Sequence, residues 1–327
     1  MQLPAHANMQ SGVSVSSFRL IKDELEQVRK LINEQMLCCA DKTGARRLVE
    51  HLNSSSGKMI RPGLVLLAGM AVGKVTDKHI HIAAIMEMIH NATLLHDDVI
   101  DEGQRRRGQA TVNSLWGNES AVLLGDFLLS RVFSMCADLE PGVVKIIAAA
   151  SGRTCEGELR QIAQRENWQL SEAEYLDMVT EKSAALFSSC CLLGGSLAGA
   201  GEDEVRQLSD FGLNLGIAFQ ITDDLLDIIG DEAKAGKTLG SDVDKNKLTL
   251  AVIHLLGVMD EKKRALAIDS LCNKAGMVEM LKSSGSLEYA HDKAQEFVEK
   301  AISQLADVRD SDAKEALIET ARLIGRR

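Results

Sequence analysis

Apolar residues recur at three- and four-residue spacing through 18–38, 77–99, 118–138, 171–197, 203–229 and 287–308, the period of an amphipathic helix. Shorter stretches with the same period lie at 45–52, 62–72, 143–162, 248–256, 261–273 and 312–323. No segment alternates convincingly with period two, as a half-buried strand would. Local signals agree: Ser171 and Glu174 read as a capping box, and Pro62 suits the first turn of a helix. Glycines punctuate the gaps. No repeat, low-complexity tract or linker divides the chain, so residues 17–327 are expected to form a single all-α domain, one large helical bundle. Residues 1–16 are expected to be a flexible lead-in.

Composition supports this reading. The 327 residues are 45% hydrophobic and only 3% aromatic, with three prolines, which disfavours strands. The net charge of −10 argues against nucleic-acid partners, which select a basic face. Seven cysteines without CxxC spacing suggest neither a zinc site nor a disulfide framework. They read as small buried hydrophobes in a reducing compartment. The N-terminal residues lack a basic region followed by an apolar one, and 190–201 is too short and glycine-rich to span a bilayer, so a cytoplasmic location is expected.

Two acidic clusters change the picture. Asp97, Asp98 and Asp101, and likewise Asp223, Asp224 and Asp227, follow the spacing Asp-Asp-x-x-Asp within apolar helical surroundings. The first and last acids of each lie one helical turn apart on one face. Either cluster alone fits a solvated acidic face. Two of identical spacing in apolar helices point instead to a bound cation, and hard carboxylate oxygens suit magnesium. The stretch 242–246 begins like a calcium-binding EF-hand loop but places Lys247 and Ile253 where the loop needs glycine and glutamate. GDEAKAGKT, at 230–238, resembles a nucleotide-binding P-loop but is one residue too long and follows a helix.

Basic residues accompany the acids. Arg105, Arg106 and Arg107 follow the first cluster, Lys237 and Lys247 follow the second, and Lys58 and Arg61 lie upstream at a loop-to-helix junction. Each alone reads as a solvated charge. Beside two magnesium-type clusters they describe a diphosphate site.

GKMIRP, HDDVIDEGQRRRG and FQITDDLLDIIGD followed by GK make the chain resemble the trans-polyprenyl diphosphate synthases over nearly its whole length. The resemblance implies the isoprenoid synthase type of all-α bundle, with a central active-site cavity, and a homodimer. It also implies that an allylic diphosphate is condensed head-to-tail with isopentenyl diphosphate. The six aspartates would hold magnesium, three ions with substrate bound. Arg106, Lys182, Lys237 and Lys247 would bind the allylic diphosphate, with Ser183 and Gln220 beside the developing carbocation. Lys58, Arg61, His90 and Arg107 would bind isopentenyl diphosphate. Arg105, an extra arginine, and Ala251, where many relatives carry proline, depart from the family pattern without touching a proposed ligand.

In such enzymes the residues four and five places before Asp97, here Thr93 and Ala92, bear on product length. Ala92 is small where relatives making short products often carry an aromatic residue, so a long, quinone-type polyprenyl product is expected. A short-chain synthase is the nearest alternative. A class I terpene cyclase is disfavoured by the second complete Asp-Asp-x-x-Asp and the GKxxRP set, and a noncatalytic subunit by the retention of every aspartate.

Overall fold

A computed structural model describes residues 17–38, 45–54, 57–230, 247–272 and 276–326. The expected lead-in at 1–16, Lys237 and the rejected 230–238 and 242–246 motifs, apart from Gly230, lie outside them.

The protein is an assembly of helices. In chain order these are α1 (Lys22–Leu37), α2 (Arg46–Ser54), α3 (Ile60–Val72), α4 (Asp77–Ile100), α5 (Val112–Trp116), α6 (Asn118–Cys136), α7 (Pro141–Ala163), α8 (Glu172–Val179), α9 (Ala185–Leu197), α10 (Glu202–Ile229), α11 (Leu250–Gly257), α12 (Glu261–Cys272), α13 (Met277–Ser283), α14 (Ser286–Gln304) and α15 (Asp312–Gly325). Every periodic segment of the sequence corresponds to one of them. Ser171 caps α8 with Glu174 as expected, and Pro141 starts α7.

Three differences have physical causes. The segment 171–197 is interrupted, because Thr180–Ala184 form a single π-helical turn between α8 and α9. Two short helices, α5 and α13, escape the periodicity analysis because five to seven residues carry too little pattern. Finally, Arg105–Arg106 pair with Gln109–Ala110 as β1 and β2 of a minimal antiparallel hairpin. Arg107 and Gly108 occupy its turn, both with positive φ (51° and 80°), the signature of a type I′ turn. Two-residue strands are too short to show period two.

Helix α4 is buried almost all round from His79 to Ile89, as are α3 and much of α9. They form the centre, with α1, α6 and α15 packed outside. A second apolar cluster joins α8, α11, α13 and α14. Helix α10 contributes Phe211, Leu215 and Ala218 to the first cluster and Ile217, Ile221 and Leu225 to the second, binding the two together.

Close approach of α10 depends on two glycines one turn apart. A Cβ on Gly212 would lie 2.6 Å from the Phe187 carbonyl oxygen, and one on Gly216 would lie 2.5 Å from the Ala184 Cα. Both obstacles are backbone, so neither side can yield cheaply. Gly216→Ala is expected to destabilise the protein by about 1–3 kcal/mol, read as a lower urea midpoint with an unchanged slope. An unaltered midpoint would show that this packing is not tight.

Candidate active site

Helices α4, α7 and α10, the π turn and the hairpin enclose a cavity of about 820 Å³. Asp97 and Asp98 reach it from the last turn of α4, and Asp101 from just past that helix end, where its φ of −97° and ψ of 5° are no longer helical. Asp223 and Asp227 reach it from α10 on the far wall. Sequence positions more than 100 residues apart thus meet across one space.

Asp224 is the exception. Neighbouring residues on a helix diverge by about 100°, and its side chain does not line the cavity. Its carboxylate accepts hydrogen bonds from the Tyr175 hydroxyl (2.6 Å) and from Gln220 Nε2 (2.7 Å). Gln220 in turn accepts from the Ser183 hydroxyl. A relay Ser183–Gln220–Asp224–Tyr175 therefore fixes the amide and hydroxyl that face the cavity, and Asp224, an expected metal ligand, is placed here as the acceptor that orients them.

The hairpin folds back over α4. Gly103 N and Asn113 Nδ2 donate to the Asp98 carbonyl at 2.9 and 3.0 Å, and Thr111 Oγ1 donates to Gly103 O at 2.7 Å. Arg106 then places Nε 2.8 Å from Asp98 Oδ1. Arg107, one residue on, turns the other way into a neighbouring groove with Gly57, Glu87 and Asn91. The absence of a side chain at Gly57 leaves room for its guanidinium, which a Cβ there would displace. Arg61 and His90 line the main cavity, with the Arg61 guanidinium 4.8 Å from the Phe187 ring centre. Lys58 is exposed and lines neither space.

Lys182 sits on the π turn. Its Nζ lies 2.9 Å from Glu158 Oε1 and donates to Gln161 Oε1 at 2.7 Å, both acceptors coming from α7. Gly157 permits this contact, because a Cβ there would collide with the Lys182 backbone nitrogen. Lys247 Nζ lies 2.8 Å from Asp101 Oδ2. Thr93 faces the cavity and donates to the His90 carbonyl, whereas Ala92 is fully buried in the core and is not part of the wall. Ile85, Met86 and Met88 are likewise core. Sequence reasoning missed Glu158, Gln161, Arg165 and Phe219, all of which line the cavity or support it. Only their place on an amphipathic helix or in a short loop marks them in the sequence.

The charges are poised against their surroundings. Burial, then the nearby Glu158 carboxylate, pushes Asp97 up to about 7. Asp98 is also raised, by burial above all, with Arg106 opposing. Among the described residues no three acidic, histidine or cysteine side chains already converge on one point. Instead hard oxygen donors face each other from two walls, and on the α4 wall burial disfavours the ionised forms of Asp97 and Asp98. Such a set fits divalent cations held between the walls together with an anion.

The polyprenyl synthetase family model matches residues 43–286. The octaprenyl diphosphate synthase of Escherichia coli is 36% identical over 84% of this chain and 87% of its own length. A short chain isoprenyl diphosphate synthase of Methanothermobacter thermautotrophicus is also 36% identical, over 83% of this chain and 86% of that one. A crystal structure of polyprenyl synthase from Caulobacter crescentus complexed with calcium and isoprenyl diphosphate superposes with a TM-score of 0.90 at 32% identity, covering 99% of both chains. The chain belongs to the polyprenyl synthetase family. It is accordingly a trans-prenyl diphosphate synthase, a transferase with the all-α isoprenoid synthase fold.

His90 offers a test of the electrostatics. Burial first, then Arg61, Arg107 and Arg106, hold its imidazole well below the usual range, so it is neutral in the folded protein. The unfolded chain binds a proton there near pH 6.5, so this residue's contribution is intact above that pH and lost as pH falls below it. Asp97 and Asp98, being raised, act in the opposite direction. His90→Gln should therefore gain stability relative to the wild type as pH drops from about 7.5 to 5.5, measured by thermal melting. A difference that stays constant across that range would contradict a neutral buried histidine.

Proposed function

We propose that this chain is a magnesium-dependent prenyltransferase that adds isopentenyl diphosphate to an allylic diphosphate, giving an all-trans product five carbons longer at each turn. The observation that carries this reading is the single cavity walled by Asp97, Asp98 and Asp101 on one side and by Asp223 and Asp227 on the other, and edged by Arg106, Lys182 and Lys247.

Asp97, Asp98 and Asp101 on one side and Asp223 and Asp227 on the other would hold the magnesium ions. Bound there, the metal supplies positive charge to the allylic diphosphate and eases its departure. Arg106 and Lys182 bind the same phosphates and stabilise the charge that develops as the allylic C–O bond breaks and its electron pair leaves with the diphosphate. Gln220 and Ser183, oriented by Asp224 and Tyr175, present oxygen dipoles beside the resulting cation. Arg61 and His90, which line the cavity, place isopentenyl diphosphate so that its double bond attacks the cationic carbon, and Lys58 and Arg107 would approach its diphosphate from outside the cavity wall. Phe219 helps exclude water from the reacting carbons. A proton is then lost to the released diphosphate, restoring a double bond.

A long product is favoured because neither Thr93, which lines the cavity, nor the buried Ala92 behind it carries a bulky side chain. A short product is the second reading, since a short-chain relative matches this chain at the same identity as the octaprenyl one. Purified protein given magnesium, farnesyl diphosphate and labelled isopentenyl diphosphate should extend the chain well past twenty carbons and stop on chelation. No extension with any allylic primer would refute the proposed activity. Thr93→Tyr, which places a ring in the cavity, should shift the product distribution shorter, and an unshifted distribution from a folded variant would remove this position of α4 from length control.

A homodimer is proposed from the exposed apolar side chains of α6, where Leu123 and Phe133 are 67% and 72% exposed. Phe133→Asp should convert a dimer into a monomer by light scattering after gel filtration. A wild-type monomer would exclude this assembly. A cytoplasmic location agrees with the described helices, none of which is long and apolar enough to cross a membrane.

A further inference from the structure

Arg165 lies beyond the motifs that mark the site, yet its side chain lines the same cavity. It follows the end of α7, in a short loop held in a fixed shape. Arg165 N donates to Ile162 O, Asn167 N to Gln164 O and Trp168 N to Glu166 O, at 3.3, 3.1 and 2.9 Å. Arg264 anchors the far side of the loop by donating to the Trp168 carbonyl at 2.6 Å. Glu166 adopts a left-handed φ of 61°, which a glutamate tolerates only where its surroundings impose it. The outcome of this construction is a guanidinium projected across the cavity mouth towards Asp101.

That guanidinium is poorly used. Its contact with Asp101 Oδ1, at 3.5 Å, is at the outer limit of a hydrogen bond, and Asp101 already has Lys247 at 2.8 Å on its other oxygen. Arg165 Nε is buried without a hydrogen-bond partner. Arg106 and Lys182, by contrast, hold short contacts to Asp98, Glu158 and Gln161. An arginine has five donors in a planar fork, and a phosphate group offers matching acceptors two at a time. A residue serving only to neutralise Asp101 would duplicate Lys247 at worse geometry.

We infer that Arg165 is a further substrate-binding residue, which donates to the diphosphate of the allylic substrate from the side opposite Arg106 and Lys182. The inference rests on the prenyltransferase reading for the identity of the anion. When Asp101 turns towards a cation, Arg165 is left facing the phosphates, so one anion collects cations from the hairpin, the π turn and the 164–170 loop.

Calorimetric titration of inorganic diphosphate at saturating magnesium, on wild type, Arg165→Gln and Arg165→Lys, tests this. Arg165→Gln should raise Kd by about tenfold or more, and Arg165→Lys by less, because an ammonium keeps the charge but lacks the fork. In turnover, KM for the allylic substrate should rise while KM for isopentenyl diphosphate stays within twofold of wild type. Kd values within twofold of wild type would overturn the inference. So would a defect confined to titration of magnesium alone, which would show that Arg165 acts only through Asp101. Should Arg165→Gln melt early, Arg165→Lys carries the same comparison. A wild type that binds diphosphate through Arg165 but transfers no prenyl group would sink the proposed reaction and leave this assignment standing.

Discussion

Mutual repulsion among carboxylates in a confined space is the constraint around which this protein is built. Asp97, Asp101, Asp223 and Asp227 face one cavity, and burial makes the charged form of Asp97 costly. Only rigid surroundings keep such groups from drifting apart. The core provides that rigidity through α4, which is sheathed in apolar contacts for three turns before its acids emerge, and through α10, which is rooted in both apolar clusters. The basic residues then divide the charge between them, Arg106 on Asp98, Lys182 on Glu158 and Lys247 on Asp101. These pairs keep the site tolerable.

Close packing and chemistry are joined at the π turn. An extra residue in one helical turn shifts the phase of the helix beyond it, and here it brings Lys182 and Ser183 both to the cavity wall. The turn is pressed from two sides at sites where only glycine fits, Gly157 of α7 and Gly216 of α10. The position of a charged nitrogen is thus set by missing methyl groups on two other helices.

Much of this was legible in the sequence. Helical periodicity located the main elements because most of them present one or two apolar faces to a core. The doubled Asp-Asp-x-x-Asp spacing pointed to the cavity because acids repeated at one spacing in apolar helices are costly unless a shared environment offsets their charge. What could not be read was direction. Asp224 sits in the motif with Asp223 and Asp227, yet a rotation of about 100° per residue sends it to Tyr175. Ala92 precedes Thr93 on the same helix, and one faces the core while the other faces the cavity. Glu158, Gln161 and Arg165 were invisible for another reason: they acquire meaning only from partners in distant elements, and no local pattern marks them.

The hairpin that separates Arg106 from Arg107 bears on how freely this chain could vary. Its turn uses two left-handed residues in succession, one of them an arginine, so the guanidinium directed at Asp98 and the one directed at Gly57 are parted by a single peptide unit. Their separation is counted in residues and is indifferent to most side-chain changes around them. A substitution within 102–110 would alter one contact, whereas inserting or deleting one residue would send every following side chain to the opposite face. For this segment, length is the more sensitive variable, and its spacing amounts to a ruler laid between the central cavity and the neighbouring groove.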